Sequence, residues 1–131
     1  MNATTKDIAE YLEDQSSMAL SIGTNLFIGR EPSIPNDTVT IFDTSSIPPQ
    51  LNLVDQGYEY PAVQIRVRNV SYEVGWRLIN SIKALFHGLG AITINGTYYS
   101  VIYVNSGPAL LDWDENSRAR FILNLGVQRR S

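Results

Sequence analysis

His87 is the only histidine in the chain, and there is no cysteine. These two counts decide most of the chemistry open to the protein. A nucleophile of the serine or cysteine type needs an imidazole or a thiolate in reach. His87 stands between Phe86 and Gly88 at the end of a helix-forming run, where an imidazole more often meets the last carbonyls of its helix than a substrate proton. With one imidazole and no thiolate, a zinc site needs three carboxylates, and no such cluster stands out. Asp112-Trp113-Asp114-Glu115-Asn116 spaces its first oxygen ligands as a calcium loop does. Ser117 then stands where that loop needs glycine, and Leu123 where it needs glutamate. Gly88-Leu89-Gly90 begins like a dinucleotide-binding turn, but it follows a helix instead of a strand and its third glycine position is Thr93. Thirteen acidic residues allow many carboxylate pairs of the kind that cleave glycosides, and nothing marks one of them. No catalytic, metal or cofactor residue is therefore expected, and the protein is read as no enzyme.

The apolar periods place these residues on elements. Thr5 to Gln15 reads as a first helix with Thr4 or Thr5 as N-cap, Asp7 in its first turn and Ile8, Leu12 and Tyr11 on one face. Leu26 to Arg30 and Thr38 to Asp43 read as strands, separated by a turn at Pro32, Pro35 and Asn36-Asp37. Thr44 to Pro61 shows no period and reads as a long loop, the first candidate for contact with a partner. Ala62 to Val70 alternates, with Val63, Ile65 and Val67 inward and Gln64, Arg66 and Arg68 outward. Ser71 caps a main helix over about 71–88, whose apolar stripe is Val74, Leu78, Ile82, Leu85, Phe86 and Leu89. Ala91 to Val104 forms a hairpin about Asn95-Gly96, a dipeptide suited to the positive φ of a two-residue turn. Asn105 to Ser117 reads as a second loop, and Arg118 to Val127 as a last strand with odd positions inward. The order predicts an α+β single domain over 1–131, a mostly antiparallel mixed sheet with the main helix and a shorter N-terminal helix on one face.

Composition agrees with a packed domain: 131 residues, 44% apolar and 18% charged. No apolar run approaches the roughly eighteen residues that span a bilayer, and the first residues lack the pattern of a signal peptide. No membrane is expected. Net charge is −3, unevenly spread. Met1 to Ile65 carries two basic residues against nine acidic, and Arg66 to Ser131 eight against four. Such a split either solvates the surface or draws one face of a subunit to the opposite face of its neighbour. The acidic total argues against tight DNA binding.

Three segments, Leu26-Phe27-Ile28-Gly29-Arg30-Glu31-Pro32, Val39-Thr40-Ile41-Phe42-Asp43-Thr44, and Tyr60 to Arg68 running into Ser71-Tyr72-Glu73, resemble the minor capsid or tail terminator (tail completion) proteins of tailed bacteriophages. The likeness spans Leu26 to Phe86. It implies a structural virion protein of the tail and neck, assembled in the host cytoplasm. It further implies a homo-oligomeric ring, commonly a hexamer, that ends the tail tube at its head-proximal side. Partners would be the tail tube protein and the head–tail connector or adaptor, with DNA passing through the lumen without specific binding. No catalytic residue carries over. The alternatives are another neck component, such as a head-completion or stopper protein, and a free ligand-binding or regulatory domain with a closed apolar pocket. A sphere of about 36 Å, from a radius of gyration of about 14 Å, leaves a hole of about 36 Å in a six-membered ring, wide enough for duplex DNA. Candidate contact residues are Tyr58 and Tyr60 in the long loop, Arg66 and Arg68 on the alternating strand, and Trp76 on the main helix. Asp112, Trp113, Asp114 and Glu115 in the second loop and Arg129 and Arg130 in the tail complete the set. An acidic or neutral lumen is expected, from the first helix or from Asp112 to Glu115.

Overall fold

The computed structural model describes residues 1–47 and 57–130. In chain order they form α1 (Thr4–Glu13), a 3-10 turn (Ser16–Met18), β1 (Leu26–Ile28), β2 (Thr38–Ile47), β3 (Tyr58–Asn69), α2 (Tyr72–Phe86), β4 (Leu89–Ile94), β5 (Thr97–Trp113) and β6 (Ala119–Arg130). The strands make one six-stranded sheet in the order β1-β2-β3-β6-β5-β4. Among the described strands β1 pairs in parallel with β2, and the other strand pairings are antiparallel. The mixed, mostly antiparallel sheet expected from the element order is present. Both helices pack on one face of it, α1 against β1, β2 and β3, and α2 against β6, β3 and β5. They meet each other where the Tyr11 and Phe86 rings lie 5.7 Å apart.

The inward row of β3, Val63, Ile65 and Val67, is fully buried, as is the odd row Ala119, Phe121, Leu123 and Leu125 of β6. Strict alternation therefore identified the core face of both strands. The main helix needs a correction. It runs Tyr72–Phe86, shorter than 71–88, and its buried residues are Gly75, Ile79, Ile82 and Phe86. Val74 is 45% exposed. The stripe is turned by about one residue because Gly75 lets the helix approach the sheet: a Cβ there would stand 2.8 Å from the Phe121 ring. Ser71 does cap the helix, its Oγ accepting from the Val74 N–H at 3.3 Å. At α1 the cap position is Ala3, with no side-chain hydrogen bond, and Thr4 and Thr5 are buried inside the helix instead of capping it.

Both predicted loops shrink. β2 and β3 take up the ends of the 44–61 segment, pairing Thr44 with Ala62 and Ile47 with Tyr60; its middle lies outside the described residues. Asn105 to Ser117 is mostly strand, because β5 continues to Trp113 against β6, with Leu110 beside Phe121 and Asp112 beside Arg120. Gly107-Pro108 hid that strand from a reading by period. The register shift between Ser106 and Ala109 absorbs the dipeptide, and Gly107 sits at φ +93°, a conformation open to glycine. The turn at Asn95 and Gly96, at φ 50° and 80°, is as expected.

Candidate interaction surfaces

Three side-chain clusters stand out on this frame. The first lies on the sheet face away from the helices, where the even residues of β3 and β6 point. Arg120 makes a bidentate pair with Asp112, Nε to Oδ1 at 2.7 Å and Nη2 to Oδ2 at 2.6 Å, and donates from Nη1 to Glu31 at 3.1 Å. Arg68 faces the same Glu31 carboxylate at 3.7 Å and donates to the Pro35 and Asn36 carbonyls at 2.7 and 3.1 Å. Arg118 pairs with Asp114 at 2.7 Å and donates to the Ser33 carbonyl at 2.6 Å. These residues line a surface concavity of about 380 Å³. Their effect is to clamp the 29–37 connection across the sheet, since three carbonyls of an otherwise irregular segment find guanidinium donors.

Hydrogen bonds from Arg120 hold the Asp112 carboxyl below its usual range. Burial pushes Asp114 up, but backbone and side-chain hydrogen bonds from Arg118, with the Asn116 N–H, bring its net shift below. Both carboxylates therefore contribute stability that is fully present above the unfolded value of about 3.9 and lost as pH falls through the lower folded values. Asp112 is 42% exposed at its side chain, so solvent screens most of its share. Urea unfolding of wild type against Asp114→Asn is expected to show the two curves converging as pH falls below about 4. A constant gap down to pH 2 would remove Asp114 from the account.

The second cluster is aromatic. Tyr72 and Trp76 of α2 and Trp113 of β5 gather about the buried Phe121 ring: Tyr72 at 5.1 Å and Trp76 at 5.9 Å from it, with Tyr72 stacked on Trp113 at 6.3 Å. Their outer faces are bare, Tyr72 45%, Trp76 40% and Trp113 50% exposed, and Leu110, opposite Phe121 in the sheet, is 39% exposed. Helical spacing puts Tyr72 and Trp76 on one side of α2, and Trp113 shares the helix face with its partner Ala119.

The third cluster is buried between α1 and the sheet. Tyr99 donates its hydroxyl hydrogen to Asp7 Oδ2, Asn95 donates to Asp7 Oδ1 at 2.9 Å, and the Arg129 guanidinium stands 3.9 Å from Asp7 and 3.6 Å from Glu59. Asp7 and Tyr99 are fully buried and Arg129 is 6% exposed. Burial first, and the Asp7 hydrogen bond second, push the Tyr99 phenol well above its ordinary value, so it remains a donor.

The sequence-derived residues thus part company. Arg68 and Arg129 are buried and internally paired, and Asp112 and Asp114 are held by Arg120 and Arg118. Arg66 lies half-buried with its guanidinium 4.8 Å over the Phe42 ring, and Arg130 lies over Tyr98 and Tyr58 at the far end of the sheet. Tyr60 is half-buried beside Ile47, and Glu115 is exposed in the β5–β6 turn. Trp76 and Trp113 come together; Tyr72 and Phe121 were missed as part of their patch, and Asp7, Asn95 and Tyr99 as the partners of Arg129. The parity of β6 carried a signal for the burial of Arg129, since the inward odd row extended by two positions reaches it. The opposite charges of the two halves also meet inside the subunit, at Glu31 with Arg68 and Arg120 and at Asp7 and Glu59 with Arg129. Among the described residues no group of three or more histidines or carboxylates could hold a metal, and no helix is long and apolar enough to cross a membrane.

A family model described as bacteriophage tail terminator protein matches residues 7–129. Among solved structures, a chain of the virion of a native gene transfer agent particle superposes with a TM-score of 0.72 at 9% identity. The match covers 98% of this chain and 96% of that one, a likeness in fold. No curated protein sequence matches.

Proposed function

The chain belongs to the bacteriophage tail terminator family, and from that premise we propose that copies of this structural tail protein close into a ring, six in number. The ring sits at the head-proximal end of the tail, ends the tube there and meets the head connector. The family match over residues 7–129 carries the reading. A bare aromatic cluster on one side of the subunit supports it, because monomers seldom leave three aromatics grouped and exposed without a contact to fill.

Native mass spectrometry with negative-stain imaging tests it. A six-subunit species with a central hole is expected, and the same ring on the ends of tail tubes. A protein that stays monomeric and leaves tube ends uncapped overturns the reading. Because Arg68, Arg118, Arg120 and Arg129 are already paired within the subunit, the ring is expected to survive a rise from about 0.1 M to about 1 M salt, which shortens the screening length from about 10 Å to about 3 Å. Dissociation over that range would mean that charge between subunits holds it.

A further inference from the structure

A closed ring of identical subunits joins two unlike surfaces of the same chain at every contact. The aromatic cluster is one such surface, and the strand order shows where the other can be. One cross-strand row runs Leu26, Val39, Val67, Phe121, Leu110, through β1, β2, β3, β6 and β5. β1 is one edge of the sheet. At the other side β4 covers β5 only as far as Ile102, so at this level β5 is itself an edge among the described residues. The two edges therefore stand at opposite ends of a single row. On the β1 side, Ile22 and Ile28 flank the buried Leu26 and are 37% and 38% exposed.

We infer that the aromatic cluster at the β5 edge of one subunit docks on the Ile22–Ile28 edge of the next copy of this chain. The inference rests on the ring reading above. An aromatic side chain carries about 150–250 Å², so the exposed shares of Tyr72, Trp76 and Trp113, with Leu110, leave about 350 Å² of contiguous apolar surface. A stable contact takes about 800 Å² from each partner, with an apolar centre and a polar rim. The cluster is the right size for that centre. The contact is by side chains and not by strand addition. Pro108 offers no N–H, and register shifts against β6 between Val104 and Ser106, Ser106 and Ala109, and Leu110 and Asp112 make β5 irregular here, a poor template for a further strand. Across from it, Ser21 and Gly23 already occupy Leu26, with Leu26 N–H to the Ser21 carbonyl at 3.2 Å and Gly23 N–H to the Leu26 carbonyl at 2.9 Å.

The chain has no cysteine of its own, which makes cross-linking clean. Thr24→Cys and Leu111→Cys place one thiol beside each edge, outside the packed cluster. With a short bis-maleimide, an equimolar mixture of the two single variants is expected to give covalent dimers. The double variant is expected to give a ladder ending at the subunit number of the ring, and neither single variant to give any product alone. Dimers from Leu111→Cys alone would mean that two β5 edges face each other, and would overturn the inference. So would dimers from Thr24→Cys alone, which would place two β1 edges against each other. Native mass spectra of the same samples separate the two levels. A ring without a ladder removes this contact and leaves the ring reading standing, whereas no oligomer in wild type or variants removes both.

Discussion

Replacing Asp7 by alanine is expected to cost the fold about 3–5 kcal/mol, the usual penalty for breaking a buried charge pair by removing one partner. Three groups depend on that carboxylate. Tyr99 loses the acceptor of its hydroxyl, Asn95 loses an acceptor at 2.9 Å, and Arg129 is left with Glu59 at 3.6 Å, the Asn2 carbonyl at 3.0 Å and the Tyr99 hydroxyl at 3.3 Å. All of this happens where Asp7 and Tyr99 have no contact with solvent, so water cannot replace the lost partners without opening the helix–sheet interface. Against a total stability of about 5–15 kcal/mol for a domain of this kind, the loss is about a fifth or more. Urea unfolding followed by tryptophan fluorescence reads it directly. Tyr99→Phe removes two hydrogen bonds, the one donated to Asp7 and the one accepted from Arg129, and leaves the ion pair, so about 2 kcal/mol is expected there, and the ratio of the two variants separates charge from hydrogen bonding. An Asp7→Ala protein within about 1 kcal/mol of wild type would show that the cluster is a tolerated burial and no fastening.

That cluster also marks where sequence reasoning ran out. Alternation is a local property, so Val63, Ile65 and Val67 and the odd row of β6 were legible as core. So was the Asn95-Gly96 turn, because its conformational demand lies in two adjacent residues. Asp7, Asn95 and Arg129 come from three distant places in the chain, and each alone reads as an ordinary surface residue: an acid in a first helical turn, a turn former, a basic tail. The pairing of β6 with β5 and the packing of α1 on the sheet bring them together. The α2 stripe failed for a related reason. Glycine carries no apolar weight in a periodicity, yet Gly75 sets which side of the helix touches Phe121. Pro108 misled in the opposite direction, since a proline on an edge strand costs no ladder hydrogen bond and does not end the strand. For the interaction surface, the two tryptophans were visible as candidates. That they form one patch with Tyr72 follows from the length of β5, which Gly107-Pro108 concealed.

Trp113→Ala is expected to leave the subunit folded and abolish the ring. The side chain is half exposed, and its main internal contact is the stack on Tyr72 at 6.3 Å, so the isolated subunit loses about 1 kcal/mol. In the proposed contact the same indole lies at the centre of the buried patch, where truncating an aromatic anchor costs about 2 kcal/mol or more. A closed ring repeats that loss at every contact. With six of them the total is about 12 kcal/mol, a factor of about 10⁸–10⁹ in the equilibrium between free subunits and ring. Urea unfolding and native mass spectrometry on one preparation should therefore give nearly unchanged stability and only monomer. Trp113→Phe, which keeps a ring to stack on Tyr72, should recover part of the assembly. If Trp113→Ala forms rings at wild-type concentration, the patch is not between subunits, and its bare surface must be accounted for by the tube or the connector. The asymmetry between Asp7 and Trp113 follows from where each is buried. Asp7 loses its water when one chain folds, and Trp113 only when two chains meet.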